Sequence, residues 1–169
     1  RVRNTASAYR GKVVKETRFY LTLPAWRAHG LEVDAVVICL REPHAVARSL
    51  RRRNRIPTRL AYHLWRIHNE RLLEYTRDLP RRFVDYRRLL DPATFAAEMG
   101  PAYELFGMPA TAEQLESLRE SYVKPAMNHA AENETEYPRA VESLWSELRA
   151  LHDGQPAALR PATERQGQP

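Results

Sequence analysis

The chain has 169 residues, of which 43% are hydrophobic, which suits one domain with a single core. No apolar run approaches the ~20 residues of a membrane span, and a single cysteine, Cys39, excludes an internal disulfide. The net charge is +6, with lysine only at 12, 15 and 124; an arginine-rich basic chain favours phosphates, sulfates, nucleic acid or acidic lipids as partners, although genome composition is an alternative source of the arginine.

Residues 1–10 carry no clear pattern. The sequence opens without Met or an apolar leader, which predicts a soluble, cytoplasmic protein or a piece of a longer one. Gly11 to Lys15 (GKVVK) predicts a short strand. Arg18 to His29 has helical spacing, with Phe19, Leu23 and Trp26 near one face, and Gly30 is a helix stop. Val33 to Leu40 (VDAVVICL) is the strongest strand, a nearly continuous apolar run of the kind covered on both faces by helices, and Cys39 within it is expected to behave as a small core residue. Pro43 fits the first turn of a helix ending near Asn54. A longer helix runs from Thr58 to about Arg77, with Leu60, Leu64, Ile67 and Leu72 on its expected buried side. Arg82 to Tyr86 is a third strand. Helices follow at 92–105 and 112–123, the latter capped by Thr111, and at 138–151. One domain spans 1–152, and the Pro-, Gln- and Gly-rich residues 153–169 are expected to form a disordered tail. Strands alternating with helices predict an α/β domain with a small parallel sheet and a helix-rich C-terminal half.

The chemistry concentrates in residues 40–50, LREPHAVARSL. Arg41 directly follows the strand, at the carboxyl edge where open α/β sheets bind ligands. The next helix begins there, with free N–H groups and the positive end of its dipole. Ser49 falls about two turns into that helix, near the face of its start, so Arg41 and the Ser49 hydroxyl can grip one phosphate. The plainer alternative is an arginine at a strand end and a serine facing solvent. Arg51, Arg52, Arg53 and Arg55 form a basic run that either steers an anion or suits the helix C-terminus. Trp26 and Trp65 are read as core residues rather than stacking platforms. No Cys/His cluster has metal spacing.

Arg41, Glu42-Pro43 and Ser49 resemble the 3′-phosphate-binding motif of the sulfotransferases that use 3′-phosphoadenosine 5′-phosphosulfate (PAPS). Leu64-Trp65 with Asn69, Val84-Asp85-Tyr86, Leu89 to Pro92, and KETRF at 15–19 with Leu23-Pro24 are similar to bacterial members in the same order. The resemblance covers about residues 12–125. It implies a P-loop-NTPase-like three-layer α/β/α fold and transfer of a sulfuryl group from PAPS to a hydroxyl or amine. It places Arg41 and Ser49 on the 3′-phosphate, Lys15 beside the transferring group, and Arg18 in support or on an acidic substrate. The general base is left open: Glu16 is the candidate, with His44 and His129 as the other possibilities. Thr17 replaces a proline common in related members, and Asn128 stands where an arginine is expected. No metal is implied. The family's Gly- and Ser/Thr-rich loop for the 5′-phosphosulfate does not occur, so the domain reads as incomplete at its N-terminus. Self-association, or a partner completing the sheet, is the expected consequence. A non-catalytic or truncated anion- and nucleotide-binding module is the alternative reading. Nucleic-acid binding is supported by charge alone, since no nucleic-acid module is recognised.

Overall fold

The computed structural model describes residues 8–9, 11–124 and 136–156. Their order is α1 (Phe19–Ala28), β1 (Val36–Leu40), α2 (Pro43–Asn54), α3 (Thr58–Tyr75), β2 (Arg81–Asp85), α4 (Tyr86–Leu90), α5 (Pro92–Leu105), α6 (Ala112–Tyr122) and α7 (Arg139–Asp153). The fold is α/β and helix-rich. Its sheet, among the described residues, is one parallel pair, with Ile38 opposite Phe83 and Leu40 opposite Asp85. The helices α2 and α3 form the crossover that parallel strands require.

Local chemistry accounts for the helix ends. Pro43 occupies the first turn of α2, and Arg55 closes that helix in the left-handed region at φ 56°. Gly30, at φ +89°, ends the turn after α1 where a side chain would be strained. Asp85 caps the unanticipated short helix α4 by accepting from the Arg87 and Arg88 amides, and Asp91 caps α5. Thr111 and Gln114 form a reciprocal capping box on α6.

One face of the sheet carries the main core. Ile38, Leu40 and Phe83 pack there with Ala47 of α2, with Ala61, Tyr62 and Trp65 of α3, and with Val141, Leu144 and Leu148 of α7. Strand alternation turns Val84 to the opposite face, where it is buried and α5 packs on β2 through a side bearing Phe95, Glu98 and Ala102. That second cover does not extend over β1. Cys39, on the same face as Val84, is therefore exposed, which corrects its expected place in the core.

Three other expectations change. GKVVK is not a strand: residues 12–16 have no regular structure, and Val13 is 62% exposed. A strand needs a neighbour for its backbone groups, and this segment pairs with neither β1 nor β2. The buried side of α3 is also rotated. Leu60 and Leu64 are exposed, while Ala61, Tyr62, Trp65 and Asn69 are buried. These larger or polar residues can enter because their polar tips find partners. The Trp65 indole donates to the Arg41 carbonyl at 3.0 Å, and the Asn69 amide donates to the Trp65 carbonyl at 2.8 Å. Finally, the chain does not leave the fold at Asp153. The Gln155 side chain accepts from the Phe83 amide and donates to the Phe83 carbonyl, and the Pro156 carbonyl accepts from Arg82. Residues 157–169 lie outside the described residues.

The two edges of the sheet consequently differ. Alternation points Phe83 and Asp85 backbone groups away from β1, and side chains occupy them: Gln155 at Phe83, and the Glu98 carboxylate at the Asp85 amide. The far edge of β1, which presents the backbone groups of Val37 and Cys39, pairs with no strand among the described residues.

Candidate functional site

Both strands are parallel, so their carboxyl ends, Leu40 and Asp85, lie side by side. The residues that follow them, with the starts of α2 and α4, build one end of the molecule. Arg41 is half-buried there. Its guanidinium sits 4.5 Å from the centre of the Tyr86 ring, a cation–π contact that fixes its position. Its Nε is buried without a hydrogen-bond partner, and Arg41 makes no ion pair among the described residues. Ser49 lies half-buried in the second turn of α2.

Lys15 is exposed. Lys15 and Arg41 both act electrostatically on the Cys39 thiol, Lys15 only weakly. That thiol is raised above its ordinary value, first by desolvation, which its exposed position tempers, and then by Asp85; Arg41 pulls against this, Glu98 adds to it, and Lys15 opposes it weakly. Arg41 follows the end of β1, two positions after Cys39, whereas Lys15 stands on an irregular segment rather than at a strand end.

Glu16 and Arg18 are committed to each other. The Glu16 carboxylate accepts from the Arg18 amide at 2.8 Å, from Nε at 3.0 Å and from Nη2 at 3.2 Å. These bonds hold Glu16 below the usual carboxylate range and raise Arg18. A carboxylate so held is a weaker proton acceptor. His44, the next candidate base, is buried at the start of α2, hydrogen-bonded to the Tyr62 hydroxyl, with its ring tilted against those of Tyr62 and Tyr137. His129 and Asn128 lie outside the described residues. The run Arg51, Arg52 and Arg53 is exposed in the last turn of α2, with Arg55 just beyond it, also exposed. Trp65 is a core residue, edge-on to Trp145; Trp26, half-buried, contacts Tyr9 and Phe19.

Two features of this end have no counterpart in the motif reading. The first is a buried carboxylate, Glu98 of α5. It accepts from the Asp85 amide at 2.5 Å and from His152 Nε2 at 2.7 Å, and pairs with Arg88 at 3.0 Å. The second is a cavity of about 470 Å³ between the start of α2, the end of β2 and α7, with Glu42, Tyr137 and Trp145 in its walls. The Tyr137 hydroxyl donates to Glu42 Oε1 at 2.6 Å. Glu98 sits in a mixed helical segment and Tyr137 just outside α7, so no local pattern singled out either. The one hint in the sequence was Glu42, just beyond the strand that ends at Leu40.

Among the described residues no group of three or more His, Cys, Asp or Glu side chains is placed to hold a metal ion, and no helix is long and apolar enough to cross a membrane. In comparisons with models of known families, with curated proteins and with solved structures, the chain matches none.

Proposed function

We propose that the chain takes PAPS as a substrate and passes its sulfuryl group to a hydroxyl or amine acceptor. One observation carries this reading: Arg41 stands between the end of β1 and the start of α2 with its guanidinium seated on Tyr86 and uncommitted to any carboxylate among the described residues. A fixed guanidinium beside free helix N–H groups suits a terminal phosphate. Arg41 and Ser49 would hold the donor's 3′-phosphate. In the transfer, the acceptor oxygen or nitrogen attacks sulfur, the bond from sulfur to the 5′-phosphate oxygen breaks, and the acceptor's proton passes to a base. Lys15 would offset the negative charge that grows on the departing phosphate oxygen. Arg18 would support Lys15 or hold an acidic acceptor.

A second reading, a nucleotide-binding module without transfer activity, is favoured by the closed Glu16–Arg18 pair. It leaves the candidate base engaged and keeps Arg41 unchanged.

Calorimetric titration of the chain with PAP, the desulfated donor, tests both. Binding is expected, weakened by about 1.5–3 kcal/mol in Arg41→Ala, the range for a charged hydrogen bond. A folded chain that does not bind PAP, or an Arg41→Ala variant of unchanged affinity, rejects the donor site. PAP binding without sulfuryl transfer to hydroxyl and amine acceptors selects the module.

A further inference from the structure

We infer that the corner where α2 meets α3 is a docking surface for an anionic lipid bilayer. It lies at the far end of α2 from Arg41, and the inference does not rest on the donor reading. Between Pro43 and Asn69 the chain has seven arginines and no Asp or Glu, so this stretch alone exceeds the net charge of +6 carried by the whole protein. That charge faces outward. Arg51, Arg53 and Arg55 at the end of α2, and Arg59 in the first turn of α3, are exposed and make no ion pair among the described residues. Only Arg55, Ile56 and Pro57 join the two helices, so these cations crowd one corner.

Charge alone suits any polyanion, and the apolar groups beside it decide. The rotation of α3 that buries Ala61, Tyr62 and Trp65 leaves Leu60 46% and Leu64 39% exposed. The two leucines stand one turn apart, in a row beside a second row of Arg59 and His63, both exposed. An apolar row flanked by cations is the pattern of a helix that lies in a membrane interface: the leucines enter the acyl boundary while the arginines meet lipid phosphates. No helix among the described residues is long and apolar enough to cross a bilayer, so α3 rests along its surface. Glu70, paired with Arg66, and Glu74 return acidic groups to the second half of α3, which confines the contact to its first half. Nucleic acid fits the corner less well. The arginines would meet its phosphates, but the leucines would gain nothing. Tyr62 and Trp65, the large aromatics of the stretch, are buried, so bases find no stacking platform.

Vesicle co-sedimentation of the full chain tests the assignment, with vesicles of equal parts phosphatidylserine and phosphatidylcholine against vesicles of phosphatidylcholine alone. The chain should sediment with the anionic vesicles only. Leu60→Ser/Leu64→Ser should weaken that partition about ten-fold, the effect of leaving two part-exposed leucines out of the apolar phase. Arg53→Gln/Arg59→Gln should weaken it at least about ten-fold. Arg77→Gln/Arg139→Gln removes the same charge from exposed positions outside the stretch and should change it far less. Thermal melting establishes that each variant is folded, and the comparison of the two vesicles stands without any variant. No binding to the anionic vesicles, equal binding to both kinds, unchanged partition in the folded leucine variant, or equal losses in the two arginine pairs each overturns the inference. So does a single-stranded RNA oligomer that binds more tightly than the anionic vesicles and is indifferent to the leucine changes, which would make the corner a nucleic-acid surface.

Discussion

Replacing Glu98 by alanine should destabilise the fold by about 3–5 kcal/mol, the usual cost of breaking a buried charged pair from one side. The Glu98 side chain is only 5% exposed and His152 12%, so water screens their 2.7 Å contact little. The variant also strips the Asp85 amide at the β2 edge of its acceptor. Arg88, 47% exposed, adds little because solvent takes over its guanidinium. At about 2–4 °C per kcal/mol for a chain of this size, the midpoint of thermal unfolding should fall by about 10 °C, read by circular dichroism. Glu98→Gln retains an oxygen for the Asp85 amide and should lose about 1–3 kcal/mol. The same cluster sets a pH dependence. Desolvation alone would lower the His152 pKa, but hydrogen bonds to Asp153 and Glu98 outweigh it and raise the value. A group whose pKa is raised by folding contributes fully below its unfolded value, about 6.5, and that contribution is lost as pH rises through the folded value. Wild-type stability from this source should therefore decline above about pH 6.5, and the decline should shrink in Glu98→Gln. An alanine variant as stable as the wild type, or a wild-type midpoint that rises across that window with no change in slope in Glu98→Gln, would refute the reasoning.

Trp65→Ala and Leu64→Ser test the rotated face of α3 together: the first should cost about 3–5 kcal/mol and the second no more than about 0.5 kcal/mol, read by denaturant melts, and the reverse order would restore the leucine face. Thr111→Ala removes the acceptor of the α6 capping box and should cost about 1 kcal/mol; an unchanged denaturation midpoint would show that the cap is dispensable.

Much of the helical layout was legible because it is written in local signals. Pro43, Thr111 and Pro92 mark helix starts, and the run ending at Leu40 marks the central strand. What failed depended on neighbours far along the chain. Nothing within GKVVK tells that its backbone groups lack a partner strand. Leu60 and Leu64 are apolar at helical spacing, yet the face with Trp65 and Asn69 wins because Arg41, 24 positions before Trp65, supplies a carbonyl for the indole. Arg41 was found from its place after a strand, and the structure keeps it at that end. Glu98 and Gln155 were missed because each acquires its role only when α5 or α7 docks against β2, and Tyr137 because its partner, Glu42, lies far along the chain at the start of α2.

The unequal sheet edges also limit how copies of this chain can join. Gln155 and Glu98 occupy outward backbone groups of β2, while β1 has no neighbouring strand among the described residues. In the language of polymer chemistry each copy is at most monofunctional: among the described residues it offers one edge, that of β1, to any strand-to-strand coupling. Two such copies meeting edge to edge cap each other, and growth terminates at the pair. A lengthening ladder would first require Gln155 and Glu98 to let go of β2, so the side chains that finish one edge of the fold also stop its edge-to-edge assembly at two.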